Sequence, residues 1–250
     1  MKIRSVDNAV KPASFIQNLQ LVAAFAMAAG LLTTGCASTL HTPAPTSRGQ
    51  QSAMTPARAL EKLEAGNARF VAGKTFHRDW SQQRAASAAG QYPFAVVLSC
   101  IDSRVASEII FDQGFGDIFN ARIAGNVLDD EILGSMEFAC KIAGAKLITV
   151  VGHSHCGAVK GACNGAQLGH LTGLLDKIQP SVAEAKQKLP GVASTDGKFV
   201  EEVAELNVQH VVQQIREQSA TLRELIDSGQ VGIVGGIYDL DSGAVKFFQH

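Results

Sequence analysis

Cys100-Ile101-Asp102-Ser103-Arg104 follows one apolar run of the sequence, and His153-Ser154-His155-Cys156 follows another. Thiolate and imidazole donors select zinc over magnesium or calcium. Cys100, His153 and Cys156 make a three-donor set with a fourth position free, as in catalytic zinc centres; a closed structural site takes a fourth Cys or His. His-x-x-Cys alone is weak evidence. Joined to Cys-x-Asp-Ser-Arg at the end of a second run, it is specific.

Asp102 and Arg104 stand two apart, so a tight loop can hold them as one bidentate carboxylate–guanidinium pair. The pair keeps Asp102 ionised and aimed. Its carboxylate can accept a hydrogen bond from a hydroxide on the metal, or swing onto the metal as a fourth ligand in a closed resting state. Ser103 and Arg104 are expected at a helix start, where the dipole also favours an anion. Two thiolates leave water on the metal less acidic than three imidazoles do, so activity should rise with pH above neutrality.

The elements that must position these residues follow from the apolar pattern. Phe94 to Ser99 is a continuous apolar run bounded by Pro93, which reads as a strand buried on both faces. Ile118–Ile123, Lys146–Gly152 and Val231–Tyr238 look alike, with helices expected near 105–112, 130–143, 157–165, 168–188 and 199–228. Ahead of them, Thr55 as N-cap and Pro56 at the first helical position open an amphipathic helix to about Ala72, with a second helix across 79–89. Strands alternating with helices imply an α/β domain with a mostly parallel four-stranded sheet flanked by helices. Asp241-Ser242-Gly243 then turns into a last, antiparallel edge strand, Ala244–Phe248. Parallel sheets bind ligands beyond the carboxyl ends of their strands, where both chemical segments fall.

The amino terminus reads differently. Lys2, Arg4 and Lys11 precede a charge-free stretch from Leu19 to Leu32, too short to span a bilayer comfortably. It has the form of a secretory signal over residues 1–35. Thr33-Thr34-Gly35-Cys36 resembles a bacterial lipoprotein box, although Thr33 stands where Leu is commonest. That resemblance implies lipidation at Cys36, export to the periplasm, and membrane contact only through that anchor. Residues 36–53 are rich in Pro, Ser, Thr and Gln and read as a flexible tether to a catalytic domain over 54–250.

Composition narrows the partners. The chain is 46% hydrophobic and 18% charged, enough for a sizeable core, and its formal net charge is −1. Removing residues 1–35 takes away three basic groups and one acid and leaves −3. Neither value gathers phosphate backbones, so nucleic acid is not an expected partner. Five cysteines are too few for a disulfide scaffold. Cys140 and Cys163 fall on apolar helix stripes and read as core or interface residues. His155 is expected at the surface, and His77, His170, His210 and His250 are expected to face solvent.

The motifs together resemble a β-class carbonic anhydrase. The likeness runs from Cys100-Ile101-Asp102-Ser103-Arg104 through Ile109-x-Phe111-Asp112, Gly116-Asp117-Ile118-Phe119, Arg122-Ile123-Ala124-Gly125-Asn126 and Gly134-Ser135 to Gly152-His153-Ser154-His155-Cys156-Gly157-Ala158-Val159. It implies reversible hydration of carbon dioxide to bicarbonate and a proton, with one zinc per chain on Cys100, His153 and Cys156. It implies Asp102 and Arg104 as catalytic dyad. It also implies a homodimer or tetramer in which Gln91 of one protomer reaches the substrate of the next. Val97 stands where some bacterial members carry a tryptophan for a regulatory bicarbonate, so that regulation is not expected. Two other readings compete: a hydrolase of carbonyl sulfide or carbon disulfide on the same scaffold, and a non-catalytic zinc- or bicarbonate-binding protein.

Overall fold

The computed structural model of the protein describes residues 43–248; the signal, Cys36 and His250 lie outside them. Five strands form one sheet in the order β2-β1-β3-β4-β5: β1 Ala95–Ser99, β2 Ile118–Arg122, β3 Leu147–His153, β4 Gly232–Tyr238 and β5 Val245–Phe247. The first four are parallel and β5 pairs antiparallel with β4, as the alternating pattern and final turn predict.

Ten α-helices surround the sheet among the described residues: α1 Arg48–Ser52, α2 Pro56–Val71, α3 Trp80–Ser87, α4 Ser107–Ile110, α5 Asp130–Glu137, α6 Gly157–Cys163, α7 Gly169–Asp176, α8 Gln179–Lys188, α9 Gly197–Gln218 and α10 Ala220–Asp227. Strands β1 and β3 are buried along their whole length, which is why they lack polar alternation. Side chains of a strand still divide between two faces. Val96, Leu98, Ile148 and Val150 pack with Val208, Val211 and Ile215 of α9 and Leu222 and Leu225 of α10. Ala95, Val97, Leu147 and Val151 pack with Ala59 and Leu63 of α2 and with Ile110 and Phe111. Each large aliphatic side chain so buried contributes about 1.5–3 kcal/mol. Helix α9 lies close to the sheet because β4 offers Gly235: a Cβ there would come within 2.6 Å of Val208 Cγ1.

Four expectations need correction. The helix expected over 168–188 is two helices, because Pro180 sits in the first turn of α8 and cannot continue α7 through it. The one expected over 199–228 breaks at Ser219, whose hydroxyl caps α10 by accepting from Leu222 N and donates to Glu137 at 2.5 Å. His210 is not free in solvent: its ring bonds Ser181 Oγ at 2.9 Å and Glu184 Oε2 at 2.8 Å.

The fourth is the tether. From Pro43 the chain is packed on the domain, so the expected 36–53 tether does not extend through this part. Thr46 donates through N and Oγ1 to Asp117 Oδ1 at 2.9 and 2.5 Å. Ser47 and Gln50 close a capping box on α1. Gln51 Nε2 donates to Pro93 O at 2.7 Å and Ala143 O at 2.8 Å. Polar side chains make this strap, with partners far away in sequence, so no hydrophobic pattern announces it.

Candidate active site

Strands β1 and β3 run in register, Ser99 beside Val151, so their chemical segments leave the same edge of the sheet. Donor atoms of Cys100, His153 and Cys156 all lie within 4.8 Å of one another, and all three residues are buried. His153 is the last residue of β3, and Cys156 is the N-cap position of α6. The sharp turn between them is made by His155, at φ 56, which sends its own side chain outward to Asp241 at 3.3 Å.

The donors suit zinc in chemistry as well as number. His153 Nδ1 lies 2.9 Å from the Ser154 carbonyl, which fixes Nδ1 as the protonated nitrogen. Nε2 then carries a free lone pair, and it is buried without a hydrogen-bond partner. Cys100 Sγ accepts from Gly125 N at 3.4 Å. The Cys100 and Cys156 side chains lie in hydrogen-bond contact with one another. A hydrogen bond from Cys156 pulls the Cys100 thiol down, and the same contact, with burial, pushes Cys156 up. A dication placed among them removes that conflict and takes both as thiolates.

Asp102 and Arg104 form the expected pair. Arg104 Nε donates to Oδ1 at 2.9 Å, Nη2 to Oδ2 at 2.8 Å, and the Arg104 amide to Oδ1 at 3.0 Å. These bonds hold the Asp102 carboxyl well below the usual carboxylate range. Asp102 is thus engaged by Arg104 and stands outside the three-donor cluster. The helix-start expectation fails: α4 begins only at Ser107, so Asp102 owes its charge to Arg104 and no helix dipole assists.

Other residues support this edge, and spacing did not assign them these roles. Arg122, at the end of β2, donates from Nε to Cys100 O at 3.0 Å and from Nη2 to Asp102 O at 2.6 Å, fixing the loop that carries both. Gly125 has φ 67, and a Cβ there would fall 2.8 Å from Ile178 Cδ1. Only glycine brings that amide to Cys100 Sγ without strain. Asn207 of α9 holds the Gly125 carbonyl at 2.8 Å. The signal for Arg122 and Gly125 was the Arg122-to-Asn126 motif itself, whose roles appear only in three dimensions; Asn207, on α9, had none.

Gln91 does not join this cluster within one chain. It precedes β1 and so lies at the opposite end of that strand from Cys100, in a cavity shared with Ala44–Arg48, Ser87 and Gly116. Cys140 and Cys163 are buried, and burial raises both thiols, Cys140 to about 12 and Cys163 to about 11. Val97 is fully buried in the core.

Comparison with known proteins agrees with this geometry. A family model described as carbonic anhydrase matches residues 95–245. "Carbonic anhydrase 2" of Mycobacterium tuberculosis is 40% identical over 202 residues, covering 78% of this chain and 94% of that protein. The carbonic anhydrase of Mycolicibacterium smegmatis is 37% identical over 204 residues, with 78% and 94% covered. Among solved structures, the β-carbonic anhydrase CafA of Aspergillus fumigatus superposes with a TM-score of 0.63 at 26% identity, over 77% of this chain and 90% of that one. A tetrameric β-carbonic anhydrase of Sordaria macrospora gives 0.60 at 27% identity, over 65% and 84%.

Proposed function

The chain belongs to the β-class of the carbonic anhydrase family, and from that premise we propose that Cys100, His153 and Cys156 hold one zinc ion while Asp102, clamped by Arg104, orients the attacking water in reversible hydration of carbon dioxide. The observation that carries this reading is the convergence of the three buried donors at the sheet edge that also bears the Asp102–Arg104 pair. When bound, zinc would supply the positive charge that lets a water lose its proton far more readily than bulk water does.

The chain's own residues do the remainder. Asp102 keeps its charge because Arg104 occupies one side of the carboxylate, so the lone pairs left over accept one water hydrogen and set the direction of the other lobe. Arg122 keeps the Asp102 carbonyl, and hence the loop, from turning. Val127 packs in the same buried cluster as Cys100 and Cys156, which limits the access of bulk water to the donors.

Gln91 is proposed to reach the site of a second protomer, which makes the active unit a homodimer or a tetramer. Export and lipidation at Cys36 are proposed from the leader sequence, which places the reaction in the periplasm; no described helix is long and apolar enough to cross a membrane.

The test uses the mature chain, with and without Asp102→Asn, followed by stopped-flow carbon dioxide hydration and metal analysis. About one zinc per chain in both proteins, with hydration lost only in the variant, is the expected result. Zinc without hydration at alkaline pH overturns the reading; assays with carbonyl sulfide and carbon disulfide on the same samples then decide between the two competing readings.

A further inference from the structure

Helix α8 takes its place by packing. The helix breaks between Asp176 and Gln179, so α7 does not carry α8, whose Val182 and Ala185 share one buried cluster with Phe199, Val203 and Leu206 of α9. Burial of apolar surface is non-directional and leaves α8 free to slide or turn on α9. A polar lock fixes the register. The His210 ring of α9 meets Ser181 Oγ at 2.9 Å and Glu184 Oε2 at 2.8 Å, both on α8. His210, and after it Lys188, hold the Glu184 carboxyl below the usual carboxylate range; the ionised group only accepts, so His210 Nε2 donates. Ser181 is 1% exposed, and its hydroxyl has this one side-chain partner among the described residues.

On both helices the lock stands about one turn from the segment that supports the metal edge. On α9, Asn207 precedes His210 on the same face and donates to Gly125 O at 2.8 Å. On α8, Ser181 N donates to the carbonyl of Ile178 at 3.0 Å, and Ile178 is fully buried against Gly125. Its neighbour Lys177 donates from Nζ to Leu128 O at 2.8 Å. These contacts grip a strained stretch of backbone: Gly125 at φ 67 and Asn126 at φ 43 are successive left-handed residues, and Asn126 carries a Cβ. Such a conformation persists where its surroundings impose it. Gly125 N is also the donor to Cys100 Sγ, at 3.4 Å.

We propose that His210 is a positioning residue for the metal edge: by locking α8 on α9 it keeps the Gly125 amide aimed at Cys100, and so sets how firmly the metal is held. The inference rests on the proposed zinc reading of Cys100, His153 and Cys156. A hydrogen bond to a thiolate withdraws charge from its sulfur, and groups outside the ligand set tune metal sites in this way. His210 bonds none of the three ligands; its route to them runs through Ile178 and Asn207 to Gly125.

The mature chain is loaded with zinc to follow release to a chelator, and with cobalt(II) to record thiolate-to-metal charge-transfer bands. His210→Ala should speed zinc release about tenfold and move the charge-transfer band to lower energy, because Cys100 loses the Gly125 amide. The double variant Ser181→Ala, His210→Leu refills the gap with apolar groups and leaves no buried polar atom of the lock unpaired. It should unfold near the native midpoint yet release zinc as fast as His210→Ala, and it decides the matter alone if His210→Ala does not fold. Ser219→Ala removes the α10 cap and the bond to Glu137, so it should lower stability without moving either metal readout. Native release and spectra in His210→Ala overturn the proposal. A double variant that regains zinc retention together with stability overturns it too, as does a Ser219→Ala protein that releases zinc equally fast. The native chain separates the two readings: if it takes up no metal, the zinc reading and the role of His210 fall together, whereas about one zinc per chain with unmoved variants removes the role of His210 alone.

Discussion

Two aspartates in this protein are clamped by arginines, and they serve opposite ends. Asp102 takes Arg104 from two positions away, in a loop where the arginine side chain is 57% exposed. Asp112 is almost fully buried and takes Arg69 and Arg78 from 43 and 34 positions earlier, together with the Phe76 amide. The local pair holds little of the fold and leaves its carboxylate open toward the metal edge. The remote cluster has no such opening; it ties the end of α2 and the segment before α3 to the residues after α4. One chemical pairing is thus a structural rivet when distant and buried, and in the proposed mechanism a poised reactant when local and exposed.

The sharpest break in that comparison is Asp112→Ala. It leaves the Arg78 guanidinium, 6% exposed, without its partner and should cost about 3–5 kcal/mol in urea unfolding of the zinc-loaded protein. Asp102→Asn should do the reverse: hydration slows by about 10²–10³-fold, or ~2.7–4 kcal/mol in the barrier, while unfolding moves by no more than ~1 kcal/mol. Equal effects of the two substitutions on stability would falsify the division. Gly125→Ala tests the support of the metal edge, since it adds a clash with Ile178 and a strained φ. An expected loss of about 1–3 kcal/mol should come with weaker zinc retention against a chelator.

The smallest effect concerns pH. Arg104 holds Asp102 far below the ordinary carboxylate value of about 4. A carboxyl depressed on folding contributes stability above its unfolded pKa and loses it only as pH falls through the folded value. Asp102 therefore stays ionised across the neutral and alkaline range and gives no limb there. Activity should still rise above neutral pH, because two thiolates reduce the metal's pull on water. Arg104→Gln should lower the rate without moving that midpoint; a shifted pH–rate profile would assign the limb to Asp102.

The metal edge was legible because its signals are local. Apolar runs end in Cys100 and His153, and burial of β1 and β3 on both faces makes those runs continuous. The strap was not legible, since Thr46, Gln51 and Gln83 act through hydrogen bonds to Asp117, Pro93 and Pro43 that no periodicity marks. Asp112 was visible only as part of the Ile109-x-Phe111-Asp112 motif, and its role as an ion-pair centre was not, because its partners Arg69 and Arg78 are remote in sequence. The helix breaks at Pro180 and Ser219 carried recognisable cap chemistry, yet apolar periodicity runs on across both sites. His210 shows the converse error, a side chain assigned to solvent because its partner Glu184 lies on another helix.

The parallel pairing of β1 with β3, and of β3 with β4, also governs when the metal can arrive. Ala95 must find Leu147, and Leu147 must find Gly232, before the sheet closes. Such non-local contacts are slow to form because loop-closure entropy precedes their reward. Cys100 and His153 therefore meet late in folding, and an extended chain has no assembled site to fill. A metal taken up at the proposed site after folding would bind only the native state and draw the equilibrium toward it by mass action.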